Sequence, residues 1–263
     1  MIKRFFSSLR RGMENYKGRH IGCAPGTHYS LVRMILRHMS PSPGVLDLGT
    51  HSGALLLRLK DKGFSDLHGA DLDSTRFDLE GASFTSLELN QDFSSQFGRQ
   101  FSLITCTDVI EHLDCPRNFL IQVRNLLSDG GFVAISLPNV GFWEGRIKFL
   151  LTGELWGFGA KNYRNQRHIS PITCEQMVLM LGEIGLEPIE WGFGGSFDRP
   201  IRRALLAPLW LPIRALCGSA VIGESALYLA RRSDPDSDLS QPQDYRQRWR
   251  GVADDIGVGS ESS

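Results

Sequence analysis

The sequence predicts a doubly wound α/β fold, a mostly parallel seven-stranded sheet with helices on both faces. Three observations carry this expectation. Short apolar runs alternate with helical stretches from residue 44 to residue 137. A buried strand, Val45-Leu46-Asp47-Leu48, runs into a glycine-bearing turn, Gly49-Thr50-His51-Ser52-Gly53. A carboxylate, Asp71, ends the next apolar run. Alternation of this kind builds a parallel sheet, because each helix carries the chain back to the edge from which the next strand must start.

The elements follow in order. Residues 27–39 put Leu31, Met34, Ile35 and Met39 on one helical face, and Pro41 and Pro43 end that helix. Strands are expected at 44–48, 67–71, 84–89, 101–107 and 132–137, with a helix at 54–60. A second helix over 116–127 is opened by Pro116 and stopped by the turn Asp129-Gly130-Gly131, and Pro138 ends the strand that follows. A helix over 173–183, capped by Ser170-Pro171 or by Thr173, leads through Gly185 into a strand at 186–191. Residues 224–230 supply the last strand.

Around this frame the chain divides into a basic amphipathic segment (1–25), a domain (26–232) and a polar tail (233–263) expected to be disordered. The first segment sets Lys3, Arg4, Arg10, Arg11, Lys17 and Arg19 among Ile2, Phe5, Phe6 and Leu9, a pattern for a helix packed on the domain or for contact with a membrane surface. Two insertions interrupt the domain. Residues 140–170 are rich in glycine and aromatic side chains and read as a lid after a strand's carboxyl end. Residues 197–220 hold an apolar run broken by Pro208 and Pro212, too short to cross a bilayer.

With 29 basic and 29 acidic residues, the balance argues against a nucleic-acid partner, which calls for excess cations to displace phosphate counterions. The five cysteines are scattered and never form a C-x-x-C pair, so neither a disulfide framework nor a metal site is expected. The opening residues lack the apolar core of a secretory signal. The expected location is the cytoplasm, with the inner face of the membrane as the alternative.

Gly49 and Gly53 let backbone approach a ligand that side chains would exclude, and helix-start amides are offered to its polar groups. Asp71, 22 residues after Gly49, is placed to accept both hydroxyls of a ribose.

These residues, together with Leu89-Asn90-Gln91-Asp92, Thr105-Cys106-Thr107-Asp108-Val109-Ile110-Glu111-His112-Leu113, Leu126-Leu127-Ser128-Asp129-Gly130-Gly131 and Ser136-Leu137-Pro138-Asn139, give the chain its likeness. From residue 26 to 191 it resembles the class I S-adenosylmethionine methyltransferases, nearest the branch with ubiquinone-biosynthesis O-methyltransferases and many small-molecule and glycan methyltransferases. The resemblance implies S-adenosyl-L-methionine as cofactor. It implies that Asp47 orients the turn, that Gly49, Thr50 and Gly53 line the methionine moiety, and that Asp71 holds the ribose with Leu72 beside the adenine. Asn90, Gln91 and Asp92 would meet the adenine edge, while Thr107, Asp108 and Val109 would border the reacting methyl. One departure stands out: His51 occupies a position where this family has a third glycine, so it needs a backbone angle that histidine tolerates better than most residues.

Methyl transfer needs alignment and exclusion of water more than a nucleophilic side chain. A hydroxyl acceptor gains from a base, for which His112 is the first candidate and His168 the second. His28 and Tyr29 are candidates to close over the cofactor. Trp143, Phe149, Trp156, Phe158 and Tyr163, mixed with Arg146, Lys148, Lys161, Arg164 and Arg167, suit a lid over an acceptor with apolar and anionic parts, such as a lipid-linked or phosphorylated sugar. The alternatives are a nicotinamide-dependent oxidoreductase and a non-catalytic binding protein of the same fold. Against the first, the turn lacks G-x-G-x-x-G and Tyr163 is followed four residues later by Arg167 rather than lysine.

Overall fold

The computed structural model describes residues 14–195, 200–218 and 221–233. A two-stranded hairpin, β1 (Asn15–Tyr16) and β2 (Arg19–His20), precedes α1 (Thr27–His38), β3 (Pro43–Leu48), α2 (Ala54–Asp61), β4 (Ser65–Asp71) and β5 (Ser83–Ser86). Next come β6 (Phe101–Thr107), α3 (Pro116–Leu126), β7 (Leu127–Pro138), α4 (Trp143–Thr152), α5 (Ala160–Gln166) and α6 (Cys174–Glu183). The chain then forms β8 (Leu186–Gly194), α7 (Pro200–Leu205), α8 (Ala207–Cys217) and β9 (Ser225–Arg232).

Seven strands make one sheet in the order β5-β4-β3-β6-β7-β9-β8, with β9 antiparallel to both its neighbours and the other pairs parallel. This is the expected doubly wound fold. Successive side chains of a strand face opposite ways, so Leu46, Ile104 and Ile135 join one core with Phe119 and Val123 of α3 and Met177 and Leu181 of α6. Val45, Leu103 and Ala134 join the other, with Leu31 and Ile35 of α1 and Leu55 and Leu59 of α2. From β3 the chain winds outward to β5, then returns past β3 to β6. The carboxyl ends of β3 and β6 therefore diverge into a crevice at the point where the winding reverses.

Several boundaries differ from expectation. Pro43 opens β3 instead of merely ending α1, a position where its missing N–H costs nothing. The strand expected over 84–89 stops at Ser86, because Glu88 folds back to accept from the Asn90 N–H at 2.9 Å. The Asp129-Gly130-Gly131 turn sits inside β7 as a bulge: Phe101 pairs with Leu127, then Leu103 with Phe132. Thr173 is the cap of α6, in a reciprocal box with Gln176. Of the basic segment, residues 14–20 form the hairpin, while 1–13 lie outside the described residues, as does 234–263 of the tail.

Both insertions are helical and they pack on each other. Phe142, Trp143, Trp210 and Val221 form a third apolar cluster, with Ile147, Trp156 and Ile213 against it. Trp143 is thus core, not lid surface. None of the described helices is long and apolar enough to cross a membrane.

Two buried polar groups position the site. Asn139 is 1% exposed and fully engaged: its N–H and Nδ2 donate to the carbonyls of Glu224 and Gly223, each at 2.8 Å, and its Oδ1 accepts from Gly141 N–H at 2.9 Å. It staples the end of β7 to the start of β9. Asp47, on β3 beneath the glycine turn, accepts from the Thr105 hydroxyl at 2.6 Å, and burial pushes its carboxyl up to about 7.

Asn139→Ala strips two backbone groups of their partners, and a loss of roughly 2–4 kcal/mol is expected, read as a lower denaturant midpoint with an unchanged slope. A second expectation concerns pH. Between about 4 and 7, folded Asp47 keeps a proton that the unfolded chain releases, so its contribution to stability falls as pH rises. His28, held down to about 3 by burial and then by Arg58, acts the other way, since below about 6.5 only the unfolded chain takes up its proton. The melting temperature of ligand-free Asp47→Asn, measured relative to the parent protein, should therefore climb as pH is raised from 4 to 7. A difference that stays flat contradicts the burial of this carboxyl.

Candidate active site

The loop after β3 is fixed by its backbone. The N–H groups of Gly49 and Thr50 both donate to the Ala70 carbonyl, at 2.8 and 3.1 Å, which ties the turn to the end of β4. Gly49 has φ +73°, and a Cβ there would lie 2.4 Å from Cγ2 of Val109, on the loop after β6. The two loops of the crevice therefore touch only because this residue has no side chain. Gly53, at φ +75°, starts α2, whose first amides face the turn.

His51 adopts φ +50°, the left-handed angle that its departure from glycine demanded. Its N–H donates to Oδ2 of Asp71 at 2.8 Å, and its Nε2 accepts from Arg76 at 2.9 Å. Burial, and then the Arg76 charge, hold the imidazole below its ordinary pKa, so it stays neutral. The hairpin closes over the same turn. Arg19 donates to the Ser52 carbonyl at 3.1 Å, the Ser52 hydroxyl donates to the His20 carbonyl at 2.6 Å, and the His20 ring meets that of His51 edge-on at 5.5 Å. Glu14 accepts from Gly26 N–H at 2.6 Å and pairs with Arg58 at 2.9 Å. Sequence reasoning gave Arg19, His20 and Arg76 no place at the turn, because two-residue strands have no periodicity to read and Arg76 reaches His51 only through the fold.

Asp71 Oδ1 accepts only a long bond, 3.5 Å, from the Asp73 N–H, and the next residue, Leu72, is 64% exposed. The loop after β5 is braced against α3: Asn90 Oδ1 accepts from Asp114 N–H at 2.9 Å and Asp92 accepts from Gln122 at 3.0 Å. Each of these bonds uses one oxygen of its side chain, and Asn90, Gln91 and Asp92 are all exposed. On the other wall, Thr107 ends β6 and Asp108 turns through φ +51°, its N–H and Oδ1 both engaged by Ser136, the latter at 2.8 Å. Val109 is buried. The Cys23 thiol is pushed up by burial and by the Asp108 and Glu14 carboxylates, which puts the strand-to-helix segment before α1 beside this wall.

Beyond Val109, residues Ile110–His112 form a single 3₁₀ turn. The chain returns to it 56 residues later: Ile169 and Ser170 donate their N–H groups to the Glu111 carbonyl at 2.9 and 3.0 Å, and the Ser170 hydroxyl donates to the Leu113 carbonyl at 2.6 Å. This strap brings His168 against His112, ring centroids 4.8 Å apart and nearly perpendicular. The two histidines chosen from sequence are therefore neighbours. His168 Nδ1 lies 2.8 Å from the Gly157 carbonyl, so that nitrogen carries the proton and Nε2 presents a lone pair. Burial, followed by His112, holds the His168 pKa below its ordinary value.

Beside them sits Glu111, 0% exposed, with neither carboxylate oxygen hydrogen-bonded to another residue. Burial and the nearby Asp108 push its pKa well above the usual carboxylate range. Ligand atoms of Glu111, His112 and His168 lie within 4.8 Å of one another. Sequence reasoning quoted Glu111 but gave it no role, since nothing in the sequence says that residue 168 comes back to it.

His168 also lines a cavity of about 350 Å³ under the insertion, with Leu155, Phe158, Tyr163 and Ile169. Lys148 is paired with Glu154 at 2.8 Å and Arg146 donates to the Gly141 carbonyl, whereas Lys161, Arg164 and Arg167 are exposed. His28 is buried at the start of α1 and Tyr29 lies under Arg33, whose guanidinium carbon is 5.6 Å from the ring centre.

Comparison with known proteins bears on the family and the fold. A family model described as a methyltransferase domain matches residues 21–190. No curated protein matches the chain. Among solved structures, a SAM-dependent methyltransferase from Archaeoglobus fulgidus is similar at 16% identity, covering 78% of this chain and 92% of its own, with a TM-score of 0.57. An S-adenosylmethionine-dependent methyltransferase from Mesorhizobium loti is similar at 15% identity over 78% and 96%, with a TM-score of 0.53. The N-methyltransferase NodS from Bradyrhizobium japonicum WM9, in complex with S-adenosyl-L-homocysteine, is similar at 17% identity over 79% and 86%, with a TM-score of 0.50. At these identities the structural likeness speaks for the fold, while the family model spans most of the chain. The chain belongs to the methyltransferase-domain family, built on the fold of the S-adenosylmethionine-dependent methyltransferases.

Proposed function

We propose that the protein transfers the methyl group of S-adenosylmethionine to an oxygen of a small-molecule, glycan or lipid-linked acceptor held beneath the 140–170 insertion. The observation that carries the reading is Asp71: a carboxylate at the end of β4 beside the glycine-bearing turn, one oxygen fixed by the His51 amide at 2.8 Å and the other held only by a long bond from the Asp73 amide. The donor set fits a nucleoside with an amino-acid tail. Asp71 would take the ribose hydroxyls, Leu72 would cover one adenine face, and backbone at Gly49, Thr50 and Gly53 with the first amides of α2 would receive the tail. Asp47 orients the turn from below, exposed Asn90, Gln91 and Asp92 would meet the adenine edge, and Thr107, Asp108 and Val109 border the reacting end. S-adenosylmethionine, when bound, supplies a methyl group on a positively charged sulfur.

An oxygen acceptor is favoured because a hydroxyl must shed its proton during transfer, and His112 and His168 are the groups set to manage that proton. The name of NodS specifies nitrogen, which makes an amine the second acceptor class. Lys161, Arg164 and Arg167, exposed on and just after α5, favour an acceptor with an anionic part. Leu205, 75% exposed, and Leu216, 87% exposed, near Arg203 and Arg214 suit contact with a membrane that presents a lipid-linked one.

Titration calorimetry tests the pocket. The parent protein should bind S-adenosylmethionine and S-adenosylhomocysteine but not NAD. Asp71→Asn, which still accepts from the His51 amide, should weaken both by tenfold or more, about 1.4 kcal/mol, and Asp71→Ala by at least as much. Equal affinity in the parent and both variants, or no affinity in the parent, would sink the reading.

A further inference from the structure

A buried carboxylate without a hydrogen-bond partner is among the costlier things a fold can hold, and such a group asks for a resident that satisfies it. Glu111 has two oxygens at zero exposure with no hydrogen-bond partner from another residue, and the imidazoles of His112 and His168 offer ligand atoms within 4.8 Å, with the Asp108 carboxylate also close. The His168 tautomer is set by the Gly157 carbonyl on Nδ1, the arrangement in which an outer carbonyl orients a ligand ring and leaves Nε2 to bind. The strap from Ile169 and Ser170 to the 110–113 turn fixes the spacing of the set.

We propose that Glu111, His112 and His168 form a binding site for one divalent first-row transition cation, with remaining coordination positions open toward the acceptor. Two imidazoles and one carboxylate are a ligand set for zinc, manganese or iron(II), and they disfavour magnesium, which prefers oxygen throughout. Ligand atoms at about 2.1 Å from one ion lie roughly 3–4 Å apart, so the present spread, up to 4.8 Å, closes with a small side-chain rotation. The site was not expected from the sequence, where the cysteine pattern alone was weighed.

The inference deepens the proposed function, and its chemical role rests on that reading. The cation takes a lone pair of the acceptor hydroxyl and lowers its pKa, and the proton passes to water. The oxygen then forms its bond to the methyl carbon as the carbon–sulfur bond breaks, and that electron pair stays on sulfur. The cation changes neither charge nor oxidation state. The two histidines thus manage the proton as ligands.

The test is calorimetric titration of the full chain, first stripped with chelator, with ZnCl₂, MnCl₂ and MgCl₂, without S-adenosylmethionine. One zinc or manganese ion should bind per chain at micromolar concentration or below, and magnesium at least tenfold more weakly. Glu111→Gln and His168→Gln should each lose a hundredfold or more while keeping the parent's affinity for S-adenosylhomocysteine, which also reports that they are folded. In the unaltered protein, MnCl₂ should broaden the imidazole signals of His112 and His168 ahead of the other five histidines. If zinc and manganese do not bind, or bind equally in both variants, or broaden other histidines first, the site holds buried water only and the inference fails. Since S-adenosylhomocysteine binding is measured separately and without metal, a failed metal site leaves the methyl-transfer reading standing, and a failed donor pocket leaves the metal result interpretable.

Discussion

The molecule turns on one close approach, that of the Gly49 backbone to Val109 across the end of the sheet. Strand order reverses between β3 and β6, so the loops that leave them must either diverge or meet without side chains between them. They meet. A methyl group at position 49 would sit 2.4 Å from Val109, and the positive φ at Gly49, His51 and Gly53 follows from folding so tight a turn against Ala70. Asp71 is then delivered beside the turn by β4 and locked by the His51 amide. The crevice is thus a product of sheet winding plus one missing side chain, and the walls around it are recruited from wherever the chain happens to return.

Much of the frame could be read from the sequence because it is written in periods. Strands 101–107 and the helix at 27–38 came out within a residue of their observed limits, since both are set by burial on one or two faces. The glycine turn and Asp71 were legible for a different reason, a fixed spacing around a bond geometry that few residues tolerate. What escaped were features made by long-range return. Asn90 and Asp92 look like ligand-facing polar residues in sequence, and nothing there shows that each also braces its loop, through the Asp114 amide before α3 and through Gln122 on it. Trp143 looks like lid surface and is core. The reverse holds for Arg19 and His20, which lie in a segment that reads as a basic amphipathic helix and instead form a hairpin over the turn.

The Glu111 cluster shows the same limit from the chemical side. Three ordinary residues, two adjacent and one 56 positions on, carry no joint signal until backbone hydrogen bonds lay the 168–170 strap across the 3₁₀ turn. Local polarity is then inverted: a carboxylate ends up drier than the histidines around it. Functional groups of this kind are found by asking which buried polar atoms lack company, a question that only coordinates can answer.

The cluster of Phe142, Trp143 and Trp210 has a mechanical consequence. It welds the proline-broken pair α7 and α8 to α4, the first helix of the 140–170 insertion, so the exposed leucines of the one travel with the roof of the other. Leu205 and Leu216 are exposed on the helices so joined, and the 350 Å³ cavity begins at Gly153, the residue after α4, so one apolar cluster lies between the two.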